Sequence, residues 1–291
     1  MKFINFGSMH IDYIYNVKEI VKARETISAL NHVVNVGGKG LNQSVALARA
    51  GANVCHVGLI GKDGADLKTM LEDNQISTEF VQCFSDQASG HAVIQVNSEG
   101  DNTILIFGGT NQYYTPELIT SALEKSDPED IVLVQNQIND VHRIIEQAKK
   151  YQRKIIFNLA PVTHSMAYYP LEYVNVFVLN QNQGSFLTKQ EKPDAILATL
   201  QRRYPQAAFV LTMGQRGVKF VDNHRRFTIP AERIAAIDTN AGGDTFVGYF
   251  LARWHLGDSI EQSLELACRA AALCITRKGA ASSIPYLNEL V

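Results

Sequence analysis

The stretch 131–158, IVLVQNQINDVHRIIEQAKKYQRKIIFN, decides the fold. Ile131–Val134 is a continuous apolar run, the pattern of a strand covered on both faces rather than one with a wet side. A helix is expected over 138–150 and a second short strand over 154–158. Strand, helix and strand at this spacing make a parallel crossover unit, and repeats of it build a sheet with helices on both faces. Toward the C-terminus the alternation continues with a strand over 174–179, a helix from Pro193 to Tyr204 and a strand over Ala207–Thr212. Val218–Val221 and Arg226–Ile229 flank Asp222-Asn223-His224, a hairpin signal. Two long helices are expected over 243–256 and 259–276, the first with Phe246, Phe250 and Trp254 as a core stripe.

Toward the N-terminus, Lys2–Phe6 reads as a buried strand ended by Gly7. Gly40–Ala50 reads as a helix with Leu41, Val45 and Ala48 on one face and Gly51 as its stop. Asn53–Ile60 is a further strand, and Asp63 is expected to cap a helix through Asn74 with Leu67, Met70 and Leu71 inward. Thr115-Pro116-Glu117 opens another helix, with Pro at the first helical position. Between these units the period shortens. Residues 11–17, 32–36, Glu79–Phe84, His91–Val96 and Thr103–Phe107 read as strands, with Ser98, Glu99, Gly100 and Asp101 as a turn. The expected architecture is α/β: a mostly parallel sheet with helices on both faces, plus a small antiparallel β element from these early segments.

Composition narrows the function. The 291 residues are 46% hydrophobic and 19% charged, enough to build a globular core. A net charge of −2 leaves no basic surplus for nucleic acid or a membrane surface. No apolar run approaches the ~20 residues of a membrane span, and MKFINFGSMH lacks a signal-peptide pattern. Cys55, Cys83, Cys268 and Cys274 form no CxxC pair, so reduced, mostly core thiols and a cytoplasmic protein are expected. The eight histidines show no HExxH spacing and give no expectation of catalytic zinc. Lys149-Lys150 and Arg202-Arg203 fall late in helices, where solvated cations complement the dipole.

Two glycine-rich segments carry the chemistry. Gly37-Gly38-Lys39-Gly40-Leu41-Asn42-Gln43 is neither a dinucleotide fingerprint nor a P-loop, because Gln43 stands where the third glycine would be and no Lys-Ser/Thr follows. It offers bare backbone and then polar side chains at a helix start, which suits either a tight strand-to-helix connection or close approach by a polyol. Asp238-Thr239-Asn240-Ala241-Gly242-Gly243-Asp244-Thr245-Phe246 opens a helix with small residues at 241–243. Its backbone N–H groups form an anion site by geometry and dipole. Glycine costs ~1 kcal/mol per helical position, so a helix-dipole role for Asp244 leaves the glycines unexplained. An acid beside an anion nest suits phosphoryl transfer, the nest holding charge and the acid receiving a hydroxyl proton.

These two segments, in this order and about 200 residues apart, resemble the two signatures of the ribokinase (PfkB-type) carbohydrate kinase family. The similarity extends from Gly7-Ser8-x-x-x-Asp12 to Thr276-Arg277-Lys278-Gly279-Ala280 and Ser283-x-Pro285. The resemblance implies one kinase domain over 1–291, with a β lid inserted from about 10–36 and 89–110 that closes over the sugar and clasps a second copy into a homodimer. It implies ATP-dependent phosphorylation of a sugar's primary hydroxyl, with ribose as first acceptor and a ketohexose, deoxyribose or nucleoside as alternatives. Asp244 matches the catalytic base, and Ala241, Gly242 and Gly243 the anion hole. His10, Asp12, Gly38, Lys39, Asn42 and Gln137 match sugar contacts. Asn180, Thr212, Gly214, Gly217 and Gly243 match nucleotide contacts. Asp238, Asn240, Ile275, Lys278, Ala280 and Ser283 match a monovalent-cation site, so Mg²⁺ with ATP, and K⁺, are the implied cofactors.

Three positions depart from the family pattern. Asn180-Gln181-Asn182-Gln183 replaces Asn-x-x-Glu, so the charge that helps order Mg²⁺ is absent. This raises a weakly catalytic sugar or nucleotide binder as an alternative. His10 stands in place of Asn, and Gln137 in place of a sugar-contacting Glu; an amide donates as well as accepts.

Overall fold

In the computed structural model, which describes residues 1–99 and 101–290, the chain forms two sheets. The larger contains, among the described residues, β1 (Phe3–Phe6), β4 (Val54–Gly61), β5 (Ser77–Phe84), β8 (Ile131–Gln135), β9 (Lys154–Asn158), β10 (Val176–Asn180), β11 (Ala208–Thr212), β12 (Val218–Val221) and β13 (Arg226–Ile229). Their order is β13-β12-β11-β10-β9-β8-β1-β4-β5. Pairing is parallel from β5 to β11, and the β12–β13 hairpin adds an antiparallel edge. The smaller sheet is β3 (Asn31–Gly37), β2 (His10–Asn16), β6 (His91–Val96) and β7 (Asn102–Phe107) in that order.

The helices are α1 (Lys39–Arg49), α2 (Ala65–Asp73), α3 (Pro116–Glu124), α4 (Val141–Lys150), α5 (Gln181–Thr188), α6 (Pro193–Arg203), α7 (Gly242–Leu256) and α8 (Ile260–Ile275). They make two cores. Leu41, Leu67, Phe250 and Leu264 of α1, α2, α7 and α8 pack on one face, and Leu118, Ile144 and Leu197 of α3, α4 and α6 on the other. Successive β8 residues alternate between them, Ile131 and Leu133 into the first, Val132 and Val134 into the second. This is why that strand is apolar from Ile131 to Val134.

Caps set several boundaries. The Thr115 hydroxyl accepts from Leu118 N with Pro116 at the first position of α3, and Ser259 and Gln262 form a reciprocal box on α8. Asp63 does not cap α2. Gly64 occupies that position without a side-chain bond, and Asp63 Oδ1 accepts from Ser89 N at 2.9 Å, so a tertiary partner displaces the local one. Helix α4 starts at Val141 rather than 138, because Asp140 takes a left-handed conformation (φ 56°) and Asn139 Oδ1 accepts from Tyr114 N at 2.8 Å. Helix α5 was not expected; its only sequence signal is the Asn180-x-x-Gln183 capping box.

Strand β5 also differs from the expected antiparallel patch, since it lies parallel to β4 at the edge of the large sheet. Within the small sheet, β2–β3 and β6–β7 are antiparallel but β2–β6 is parallel. The β6–β7 turn is closed by Asn97, whose Oδ1 accepts from Glu99 and Asp101 N; Gly100 of the expected turn lies outside the described residues. The four cysteines are all free, Cys55 and Cys274 buried, Cys268 half-buried and Cys83 exposed. Among the described residues no helix is long and apolar enough to cross a membrane.

Candidate active site

The predicted site residues gather around the C-terminal ends of the parallel strands, where open α/β sheets bind ligands. Gly38 (φ 96°) turns the chain from β3 into α1, and a Cβ on Gly40 would collide with the Gly7 backbone. This close approach seats the first turn of α1 on the end of β1. Helix α7 lies against α1, where Gly248 leaves room for Ala46. The two helix starts therefore meet.

Asp244 is buried at that meeting point. Its Oδ1 accepts from Gln43 Nε2 at 2.9 Å and its Oδ2 from Asn42 Nδ2 at 3.1 Å, with Lys39 Nζ 4.0 Å from Oδ1. Ala241 precedes α7 in a left-handed conformation (φ 57°), and Gly243 is exposed with open space where a Cβ would stand. The first N–H groups of α7 lack intrahelical acceptors, as at any helix start.

On one side of Asp244 lie the residues expected to hold a sugar. Asp12, half-buried on β2, has no side-chain hydrogen bond among the described residues; burial and then Asp238 push its carboxyl pKa up to about 7. His10 is buried and held neutral, its pKa lowered to about 4 by burial, His91 and Lys39. Gln137 Oε1 accepts from Ser8 Oγ at 2.7 Å and from Lys39 N at 3.3 Å, while its amide nitrogen has no partner among the described residues.

On the other side is a cleft of about 740 Å³ lined by Thr212, Gly214, Gly217, Gly242 and Gly243 among others. Gly217 has φ 87°, and a Cβ there would collide with the Ile229 carbonyl. Asn180 pairs in register with Thr212 on the neighbouring strand, but its side chain accepts from Gln183 N at 2.9 Å while Gln183 Oε1 accepts from Asn180 N at 2.8 Å. Gln183 thus shapes the start of α5. The sequence reading missed the rest of this cleft's wall, including Ile234, Ala236, Phe246, Cys268 and Ala271, whose apolar side chains carry no local signal. It also missed Gln43 as a partner of Asp244.

The two segments expected to surround a cation are brought together. Asp238 Oδ1 accepts from Asn240 N at 2.9 Å and Oδ2 from Gly279 N at 3.0 Å, between Lys278 and Ala280. Ser283 Oγ lies 2.8 Å from Ala280 O and 3.2 Å from Cys274 Sγ, which is 3.8 Å from Asn240 O. The Ile275 carbonyl accepts from both Ile237 N and Asp238 N, which ties the loop to α8 and occupies its lone pairs. The oxygen-rich remainder suits a large, weakly hydrated cation. Among the described residues no group of three or more His, Cys, Asp or Glu could hold a metal ion.

Fold and site together define an α/β phosphotransferase, with a carboxylate set between a polar pocket and a cleft at a helix N-terminus. Residues 2–287 match the pfkB family carbohydrate kinases. The chain is 31% identical to ribokinase of Bacillus subtilis, covering 98% of this chain and 96% of that one. It is 30% identical to deoxyribokinase of Salmonella typhi, covering 97% and 95%. The crystal structure of Cryptococcus neoformans ribokinase with ADP superposes with a TM-score of 0.86 at 27% identity, over 99% of this chain and 98% of that one. The chain belongs to the pfkB family of carbohydrate kinases, phosphotransferases acting on sugar hydroxyls.

Proposed function

We propose that the protein is an ATP-dependent kinase of the primary hydroxyl of a pentose, with D-ribose the first acceptor. The observation that carries this is the position of Asp244. It follows directly on the two glycines lining the cleft, and its oxygens are held by Asn42 and Gln43 of the opposite loop. A base so placed faces both substrates. Asp12, Lys39 and Asn42 bind and orient the sugar, Asp244 receives its hydroxyl proton, and N–H groups at Ala241–Gly243 hold the charge of the transferring phosphoryl. Mg²⁺ bound to ATP supplies further charge neutralisation. The transition state is loose, so alignment matters more than basicity. Deoxyribose is the second reading, favoured by His10 and Gln137 and by the resemblance to a deoxyribokinase. Initial rates over ribose, deoxyribose, ketohexoses and nucleosides test both readings, and an absence of turnover with every acceptor would leave only a binding role.

Potassium is assigned to the pocket formed by Asp238, Asn240, Lys278, Ala280 and Ser283, with Ile275 bracing it. A cation there steadies the loop leading to Ala241–Gly243, a preorganising effect. Turnover rises when K⁺ replaces Na⁺ at constant ionic strength, and Asp238→Ala removes the response. Equal rates in K⁺, Na⁺ and a bulky organic cation would take potassium out of the mechanism.

The small sheet serves as a lid inserted into one kinase domain, and a second copy covers its outer apolar surface. Val33, Val34, Ile104, Ile106 and Phe107 are exposed, and Leu105 is 71% exposed. An apolar patch of this kind marks an interface. Sedimentation finds a dimer that Leu105→Glu converts to monomer; a monomeric wild type contradicts the clasp. The reduced thiols and ATP requirement fit the cytoplasm.

A further inference from the structure

We propose that Gln135 and Asn5 are positioning residues for Asp244, and that their hydrogen-bond polarity forces Gln43 to present its N–H to the carboxylate. The inference rests on Asp244 being the base. A glutamine amide is nearly symmetric in shape, so Gln43 could equally turn its carbonyl oxygen toward Asp244 and repel it. What decides the orientation lies behind it.

The polarity can be followed from both ends of one buried chain. At the far end, His56 Nε2 lies 3.2 Å from Gly7 O, which can only accept, so Nε2 carries the proton. Burial holds this ring neutral, its pKa lowered to about 4. Its bare Nδ1, 2.9 Å from Ser44 Oγ, then receives the Ser44 hydroxyl proton. Ser44 in turn accepts from Asn5 Nδ2 at 2.8 Å, and the same amide nitrogen donates to Gly40 O at 2.8 Å. That leaves Asn5 Oδ1 as an acceptor. From the near end, the Asp244 carboxylate accepts from Gln43 Nε2, which leaves Gln43 Oε1 as an acceptor as well. The two ends meet at Gln135, whose Nε2 stands 2.8 Å from both Asn5 Oδ1 and Gln43 Oε1. Two amide hydrogens serve two carbonyl oxygens, so the donor and acceptor roles agree along the chain, and Gln135 Oε1 is left buried without a hydrogen-bond partner among the described residues.

All five side chains from Gln43 to His56 are fully buried, so water cannot substitute for a missing link. Strand β8 contributes Gln135 and β1 contributes Asn5, so the rigid centre of the sheet fixes an amide on α1. None of the chain beyond Gln43 touches Asp244, and its effect falls on alignment of the base, where displacements of ~1 Å change rates by on the order of 10²-fold.

The test compares Gln135→Met, which keeps the volume and removes both donors, with Gln135→Glu, which substitutes a group able to titrate. Both are expected to lower kcat by roughly 10- to 100-fold while the KM values for sugar and ATP stay within about twofold. When ionised, the introduced carboxylate draws the Gln43 N–H away from Asp244, so kcat of Gln135→Glu relative to wild type recovers as pH falls. Gln135→Met shows no such recovery and carries the test alone should Gln135→Glu not fold. In an Asp244→Asn background, Gln135→Met causes no further loss, because residues acting through one group are not additive. A full further loss in that background, or unchanged kcat in both single variants, overturns the proposal. Near-wild-type turnover of Asp244→Asn by itself would instead overturn the reading of the base.

Discussion

Asp244→Asn is expected to lower kcat by about 10²–10⁴ while the protein folds and binds both substrates, the usual scale for loss of a general acid–base group. The fold survives for a specific reason. In the wild type, Gln43 and Asn42 each donate to one carboxylate oxygen. An amide at 244 keeps one acceptor, which Gln43 satisfies, and turns an NH₂ toward Asn42. Asn42 Oδ1 is buried without a partner, so a flip of that amide presents an acceptor to the new donor. The substitution removes proton acceptance and leaves the packing of α1 on α7 intact. Single-turnover rates and a melting curve measured together decide the matter. A large loss of kcat with an unchanged melting temperature identifies the base; a collapsed melting temperature identifies a helix-dipole residue.

The parts of this molecule that could be read in the sequence are those encoded by local chemistry. The Ile131–Val134 run announced a strand between two layers because each of those four residues enters a core. The small-residue turn at Ala241-Gly242-Gly243 that opens α7 is a property of consecutive backbone units, so it too was visible. What escaped was set by partners distant in the chain. Asp63 looked like a helix cap until Ser89 claimed its carboxylate. Strand β5 has the same short pattern as the strands of the small sheet, and only its pairing with β4 assigns it to the large sheet. Asn5, Gln43 and Gln135 are neutral amides that a sequence displays no differently from surface residues. Their convergence depends on β8 and β1 lying side by side with α1 above them. The apolar wall of the cleft beside Gly242 and Gly243 escaped for the opposite reason, since side chains such as Ile234, Ala236 and Ala271 look like ordinary core residues in a sequence.

Asp12→Ala is expected to raise the sugar KM by on the order of 10²–10⁴-fold with little change in the ATP KM. A carboxylate accepting two hydroxyls contributes ~1.5–3 kcal/mol per hydrogen bond, and its loss leaves both hydroxyls unpaired. Without sugar, Asp12 has no hydrogen-bond partner among the described residues, and burial and Asp238 raise its pKa to about 7. The sign of the pH effect follows. Only the ionised form accepts both hydroxyl protons, so the sugar KM climbs as pH falls below about 7, while kcat at saturation is unaffected by this group. Stability runs the other way. The native state holds the proton more tightly than the unfolded chain does, so this group makes the protein less stable as pH rises from 3.8, the ordinary value for an aspartate, toward 7. At pH 8, therefore, Asp12→Ala removes an unpaired, half-buried charge, and the variant melts above wild type even as it loses sugar affinity. A residue that merely braced the lid would lower the melting temperature and shift both KM values together. Thermal melts at pH 5 and pH 8 alongside the two KM measurements separate these outcomes, because a binding carboxylate kept charged for its ligand destabilises the empty protein and a structural one does not.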